Sequence, residues 1–212
     1  MKFYFLSLIS FYCVVYSSCS SLPTKAYMKA NPAKSFKING ALVVPKYYTK
    51  FDSILRSSDD TLAFVAYSKY AYFPFGMIKT KSKINSGLLK EFHVEEKIIK
   101  TDIGNIEFKT LTHGSSKVMY SFNKTTPGED YDIDKGEIND NDIQFINGVK
   151  VGMSLDDFYN AFFDQFPSEM KNKYKYFVIE TFGAEVRHIY SFENFQLKSI
   201  KFTSKRFFDA DY

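Results

Sequence analysis

The sequence predicts an α+β fold that is mainly antiparallel sheet with one amphipathic helix, over about residues 154–166, packed on it. Three observations lead to this prediction. Short runs rich in β-branched and aromatic residues recur between turn residues along much of the chain. One segment repeats its apolar residues with a clear helical period. Phe and Tyr, without any Trp, supply an aromatic content of 18%, which suits half-buried sheet surfaces.

The helix has the clearest local signal. Ser154 precedes Asp157 by three residues, so its hydroxyl can accept a hydrogen bond from the Asp157 amide in a capping-box arrangement. The apolar residues that follow on one face are Leu155, Phe158, Tyr159, Phe162, Phe163 and Phe166. Their spacing is that of an amphipathic helix, and Pro167 predicts its end. We expect Phe162, in the middle of this stripe, to be a core residue.

The strands are predicted from β-forming runs bounded by turn residues. They cover residues 41–44, 62–75 (one strand or a bent pair), 88–99, 103–111, 117–122, 143–146, 175–182, 185–192 and 195–203. The spacing between 88 and 122 resembles an antiparallel meander. Residues 47–55 are ambiguous, and a short helix is one interpretation of them. Alternation in 185–192 places His188 on an apolar strand face, as a core or edge histidine.

The N-terminus has the pattern of an export signal. Lys2 is followed by an apolar run over residues 3–16, which is too short for a permanent membrane-spanning helix. The run ends in Tyr16-Ser17-Ser18-Cys19, which resembles the bacterial lipobox and predicts lipidation of Cys19. The alternative is an ordinary secretory signal cleaved near Ser18 or Ser21, with Cys19 incidental.

This interpretation divides the chain into four segments. They are a signal peptide (1–18), a tether (19–37), a β-rich region (38–142) and a helix-plus-three-strand module (143–212). If Cys19 carries lipid, Cys13 leaves with the signal peptide and no disulfide can form. The remaining chain is long enough to bury a core without such a bridge.

Charge is distributed unevenly. The net charge is +4, yet residues 129–142 hold seven acids against one lysine, so the rest of the chain is basic. A basic body can attract phosphate-bearing lipids or acidic partners over long range. The alternative is scattered lysines that serve solubility, because the chain has no tight Lys/Arg cluster. An exported protein is not expected to bind nucleic acid.

Two kinds of small site are suggested by short patterns. Asp130, Asp132 and Asp134 alternate as the carboxylates of a calcium loop do, although the following Gly and Glu positions do not fit an EF-hand. The site would bind Ca²⁺ weakly, and the alternative is a solvated acidic loop. Ser53 and Thr61 lie in Asp-Ser-Ile and Asp-Thr-Leu, which resemble the O-glycosylation pattern of Bacteroidetes periplasmic proteins, and Thr61 is the better candidate.

No catalytic residues, metal ligands or cofactors are assigned from the sequence. Its histidines, His93, His113 and His188, are far apart and lack cysteine partners. The chain has no nucleophile motif and no phosphate-binding glycine loop. A Ser-His-Asp site could still be assembled by the fold from distant residues.

The segment VKVGMSLDDF, residues 149–158, carries a family resemblance. It resembles the repeat start of β-lactamase-inhibitor-protein-like and outer-membrane-assembly lipoprotein modules, in which Gly-Met-Ser/Thr leads into a helix and then antiparallel strands. The composition, rich in Lys, Asn, Ile, Phe and Tyr, resembles that of AT-rich bacteria such as many Bacteroidetes. The resemblance covers about the last third of the chain and implies a small envelope lipoprotein that binds proteins and performs no chemistry.

The expected function is therefore that of a non-catalytic protein-binding or envelope-assembly lipoprotein. We expect it to be held in the outer membrane by an N-terminal lipid, facing the periplasm, with an envelope protein as partner. Two alternatives stay open: a hydrolase-like enzyme with a site assembled from scattered residues, and a purely structural lipoprotein. A pocket that gathers histidine and carboxylates would favour the enzyme, whereas an exposed sheet face would favour binding.

Overall fold

Strands dominate the structure, a computed structural model that describes residues 34–76, 91–101, 104–123, 132–182 and 186–204. The strands are β1 (Phe36–Ile38), β2 (Ala41–Pro45), β3 (Phe51–Ser57), β4 (Thr61–Ala66), β5 (His93–Thr101), β6 (Gly104–His113), β7 (Ser116–Asn123), β8 (Asp132–Ile138), β9 (Phe163–Gln165), β10 (Tyr176–Thr181), β11 (Val186–Glu193) and β12 (Gln196–Ser204). The helices are a 3-10 turn (Tyr47–Thr49), α1 (Lys69–Tyr72), α2 (Leu155–Phe162) and α3 (Ser168–Lys171). The α+β, sheet-dominated class predicted from the sequence is confirmed.

Nine strands form the main sheet, in the order β3-β4-β10-β11-β12-β8-β7-β6-β5. Neighbouring strands are antiparallel except β4 and β10, which run parallel with Phe64 opposite Ile179. Strands β5, β6 and β7 form the meander that the turn residues predict. Because β10, β11 and β12 lie in the middle, strands from the predicted segments 38–142 and 143–212 combine in one sheet.

The inner face of this sheet carries the core. Its central side chains are Leu62, Phe64, Phe177, Ile179, His188, Tyr190, Ile200 and Phe202, which are all buried. Helix α2 packs on this face, with the Phe158 and Phe162 rings 5.3 Å and 5.5 Å from the Phe177 ring. A second sheet, ordered β1-β2-β9, adds the Phe163 ring at 5.7 Å from Phe64. The predicted helix therefore packs on the sheet, and Phe162, which is 1% exposed, is confirmed as a core residue.

The first strand begins inside the predicted tether 19–37. Phe36 of β1 is buried, and its ring lies 5.4 Å from the ring of Phe64. Lys34, just before it, lies 3.7 Å from a carboxylate oxygen of Asp52 on β3. The end of this segment is thus held by the core, because burying an aromatic ring stabilises it against leaving the sheet.

Helix α2 begins as predicted but ends early. The Ser154 hydroxyl accepts a hydrogen bond from the Asp157 amide at 3.1 Å, which confirms the cap. The helix was predicted to reach residue 166, yet it ends at Phe162, because residues 163–165 are extended and pair with β2 as β9. Phe166 still packs on the core, stacked on Tyr159 with ring centres 4.1 Å apart.

Two further segments differ from their predictions for backbone reasons. In the ambiguous segment 47–55, the helical interpretation holds only for the 3-10 turn, because Lys50 adopts a left-handed conformation (φ 47°) that ends the turn before β3. The strand predicted over 62–75 is also too long. It ends at Ala66, and Ser68 caps the one-turn helix α1 by accepting from the Ala71 amide at 3.3 Å.

The acidic stretch, residues 129–142, is not a loop throughout. Half of it is β8, a strand paired on both sides, with β7 and β12. Gly136 fits this position because a Cβ there would lie 2.8 Å from the Lys117 carbonyl oxygen of β7. The strand predicted over 143–146 is reduced to one bridge, between Gln144 and Lys150, that closes a turn.

Candidate functional site

His113, at the end of β6, lies beside a carboxylate, which is one part of the arrangement that an enzyme site would need. Its Nε2 lies 2.8 Å from an Asp142 carboxylate oxygen, and its Nδ1 lies 3.2 Å from the carbonyl oxygen of Glu91. Since both neighbours are acceptors, the doubly protonated ring satisfies both. The Asp142 carboxylate, helped by the Glu91 carbonyl, holds the pKa of His113 above its ordinary value.

The serines beside His113 form hydrogen bonds to a different carboxylate. The hydroxyls of Ser115 and Ser116 donate to Asp140, and the Ser116 hydroxyl also accepts the amide of Asn139 at 2.9 Å. These hydrogen bonds, with that of Ser116 first, lower the pKa of Asp140. A nucleophilic serine needs a hydrogen bond to its general base, whereas this His113 ring is bound on both nitrogens to other acceptors. These contacts connect the β6–β7 turn to residues 139–142.

His188 belongs to a buried polar cluster on the inner face. Its Nδ1 lies 3.1 Å from the Tyr190 hydroxyl, which is also hydrogen-bonded to the hydroxyl of Tyr70 from α1. His188 and Tyr190 are fully buried, and burial lowers the pKa of His188 to about 4. The histidine is therefore neutral near pH 7. The prediction that His188 is a core or edge histidine is confirmed, in its core form.

A small cavity lies beside this cluster. It measures about 10 Å³ and is lined by Tyr48, Thr49, Phe51, Ser68, Tyr70, Asn147, Phe162 and Ile179. A space of that size holds about one water molecule. An organic ligand needs a far larger pocket, so the His188 cluster with its cavity offers no substrate site.

The predicted modification and ion sites stay predictions. Cys19 and Asp130 lie outside the described residues, and so does the side chain of Asp132. Asp134 is buried in β8, at 2% exposure. Within the five described ranges, no three His, Cys, Asp or Glu side chains converge as metal ligands would.

Ser53 and Thr61, the predicted glycosylation sites, both lie on the sheet face opposite the core, which we call the outer face. Ser53 is opposite Val65, and Thr61 is opposite Tyr176. The Thr61 hydroxyl donates to the Asp60 carboxylate at 2.8 Å. Both residues are half-buried, and glycosylation at either stays a prediction.

The outer face of β4, β10 and β11 presents an apolar surface, called the outer band. Its members are Val65, Tyr67, Tyr176, Val178, Phe182 and Ile189. Tyr67 and Phe182, directly after β4 and β10, are 46% and 62% exposed and stack with ring centres 5.4 Å apart. Tyr176 is 39% exposed. Exposed aromatics beside half-buried aliphatic side chains are typical of surfaces that bind proteins.

One charged pair lies within the outer band and a second borders it. Arg187 of β11 contacts Glu180 of β10 at 2.8 Å, and Lys201 of β12 lies 3.8 Å from Glu137 of β8. Glu180 lies directly opposite Val65, so its ion pair with Arg187 divides the apolar surface between Val178 and Phe182. Lys201, opposite Ile189, places the second pair at the β12 side of the band. Protein interfaces combine apolar contact area with polar and charged contacts in this way.

The sequence held one signal for the outer band. Residues 62–67 form an unbroken apolar run, which is typical of a strand that is apolar on both faces. That run indicates a second apolar face without showing whether it is covered. The stacking of Tyr67 on Phe182 could not be read from the chain, because it depends on the parallel pairing of β4 and β10.

No helix in the described part of the chain is both long and apolar enough to cross a membrane. In comparisons with known proteins, no family model, curated protein or solved structure matches this chain.

Proposed function

We propose that this protein is a non-catalytic lipoprotein of the bacterial envelope that binds another envelope protein through its outer band. The observation that carries the proposal is the band itself, with its exposed Tyr67–Phe182 stack. A stacked pair is already ordered, so binding costs little side-chain entropy. Tyrosine and phenylalanine supply large contact area, and tyrosine adds a hydroxyl for a hydrogen bond.

The chemistry of the histidine clusters supports the same proposal. His113 is bound on both ring nitrogens by acceptors, and His188 is fully buried in a cluster whose cavity holds about one water molecule. Neither is placed to act as a general base on a bound substrate. The partner we propose is a protein with an apolar surface patch that also carries charged groups, because such a patch complements the band and the Arg187–Glu180 pair within it.

The anchor is proposed from the sequence around Cys19. A lipid there would hold the protein on the outer membrane, facing the periplasm, next to its partner. Metabolic labelling with a fatty-acid analogue should mark the wild-type protein and leave Cys19→Ala unlabelled. Equal labelling of the two would contradict lipidation at Cys19 and leave the secretory alternative.

The outer band is tested by site-specific photo-crosslinking in the native bacterium. A photoreactive phenylalanine analogue at Phe182 should give one discrete adduct with a second envelope protein. The double substitution Tyr67→Ala with Val178→Asp should abolish that adduct, since it removes contact area and places a charge in the band.

Phe195 is the matched control for this experiment. It is as exposed as Phe182, at 65% against 62%, but lies in the turn between β11 and β12. The same analogue at Phe195 should give no discrete adduct. Identical adducts from both positions, or none from Phe182, would show that the band is not a binding surface.

A further inference from the structure

The main sheet has two edges, and they are built differently. Strand β3, at one edge, loses register with β4 twice, between Phe51 and Ser53 and again between Ile54 and Arg56. Such irregularities are a common protection of edge strands, because they interrupt the row of backbone groups that another strand would bind. The β3 edge is therefore a poor template for pairing.

Strand β5, at the other edge, is regular. It pairs with β6 without any shift, from His93 opposite Thr112 to Thr101 opposite Gly104. Among the described residues, β6 is the strand hydrogen-bonded to β5. In a regular antiparallel strand, alternate N–H and C=O groups point away from the existing neighbour, so this edge presents an ordered row of donors and acceptors.

The side chains of β5 add a second observation. Ile98 and Ile99 are 61% and 40% exposed, although they point to opposite faces of the sheet. They are flanked by Glu95, Glu96, Lys97 and Lys100. The strand thus carries apolar contact area on both faces, within a segment whose charges have both signs.

We propose that β5 pairs antiparallel with β5 of a second copy of this chain, with Ile98 on the two-fold axis. A two-fold axis perpendicular to the sheet puts one residue opposite its own copy. With Ile98 there, Glu96 faces Lys100 of the second copy, and the same pair repeats on the other side of the axis. Ile99 faces Lys97 of the second copy, whose alkyl stem can cover it.

Charge favours this register over registers in which the axis is shifted by one or two residues. An axis through Lys97 would put two lysines directly opposite each other, and an axis through Glu96 would put two glutamates opposite each other. Like charges in directly opposed positions destabilise a strand pair, whereas opposite charges stabilise it. Shifting the axis to Ile99 avoids like charges but shortens the paired segment and loses the Glu96–Lys100 contacts.

The carboxylate of Glu96 is already positioned for this contact. It forms an ion pair with Lys109 of β6, and it is 53% exposed, so one side of it still faces solvent. Lys109 limits the side-chain freedom that Glu96 would lose on pairing. The resulting dimer joins two sheets into one continuous sheet and leaves the outer band, near the opposite end of each sheet, unaffected.

Cysteine crosslinking tests the register directly. The full chain carries two cysteines, Cys13 and Cys19, and replacing both by serine leaves an introduced cysteine as the sole thiol. Directly opposed residues of antiparallel strands have Cα atoms roughly 4.5–5.5 Å apart, within the range of a disulfide. Under copper-phenanthroline oxidation, Ile98→Cys should give a covalent dimer.

Ile99→Cys and Lys97→Cys are the matched controls. Each should form no covalent dimer alone, because neither faces its own copy, and mixing the two proteins should give a covalent heterodimer. In sedimentation of the chain without introduced cysteines, Ile98→Lys should weaken the dimer by about tenfold or more, since it puts two lysines on the axis. Phe195→Lys, at an exposed position outside β5, should leave the dimer unchanged.

Several results would overturn the proposal. The first is an Ile98→Cys protein that forms no covalent dimer after oxidation. The second is equal crosslinking of Ile98→Cys and Ile99→Cys. The third is a crosslink of Ile98→Cys to a different protein instead of to a second copy. Circular dichroism and thermal unfolding like those of the parent chain identify variants that are folded, and Lys97→Cys mixed with Ile99→Cys tests the register without altering Ile98.

Discussion

Replacing Phe162 by alanine is expected to lower the free energy of unfolding by about 3–5 kcal/mol, the range typical of buried phenylalanines. The Phe162 ring is 1% exposed and contacts the rings of Phe51, Tyr70, Phe158 and Tyr190 at centre distances between 5.0 and 6.2 Å. It also borders the small cavity on the inner face. Truncation would enlarge that cavity, and the rings around it belong to separate elements that cannot all collapse inward.

Phe195→Ala is the control, because that ring is 65% exposed and its loss should change stability by only about 0.5 kcal/mol. Urea unfolding followed by circular dichroism measures both variants, with the midpoint and its slope recorded for each. A Phe162→Ala midpoint equal to that of the wild type would contradict the placement of α2 on the inner face.

Acid is expected to destabilise the protein through His188, by about 3 kcal/mol between pH 6.5 and pH 4. Burial lowers the pKa of His188 from 6.5 to about 4, so within this window the unfolded chain binds a proton that the folded chain excludes. Stability therefore rises with pH across the window and is fully gained above 6.5. The slope from this residue is about 1.4 kcal/mol per pH unit.

The measurement compares the pH dependence of wild type with that of His188→Phe, which keeps a ring at this site and cannot titrate. Carboxylates contribute to both profiles, so the difference between them reports His188. Parallel profiles for wild type and His188→Phe would mean that the folded state accepts the proton.

Local signals predicted the parts of the fold that depend on neighbouring residues. The Ser154 cap, the apolar stripe of α2 and the β5–β7 meander each rest on contacts within a few residues or across a short turn, and each is confirmed. The end of α2 could not be found in this way. Phe163 continues the helical stripe in sequence, yet it leaves the helix because β9 pairs with β2, a distant segment.

The candidate sites, too, could be predicted only where they depend on residues close together in sequence. The sequence placed His188 on a strand face correctly, but its hydrogen bond to Tyr190 and the contact of Tyr190 with Tyr70 require α1 to lie against β11. The approach of Asp142 to His113 likewise depends on how the chain returns after β8. Pairings between distant strands set these positions, and such pairings cannot be inferred from a single sequence.

The placement of β10, β11 and β12 in the middle of the sheet has a consequence for how the chain acquires its fold. In the described part of the chain, strands β3 and β4 share no pairing with β5–β8, so the main sheet joins the two groups through β10–β12, which are synthesised last. A nascent chain cannot complete the sheet until those strands are available, and pairing of such high contact order is slow. Premature termination near residue 175 would leave two incomplete sheets, each with a bare edge prone to aggregation.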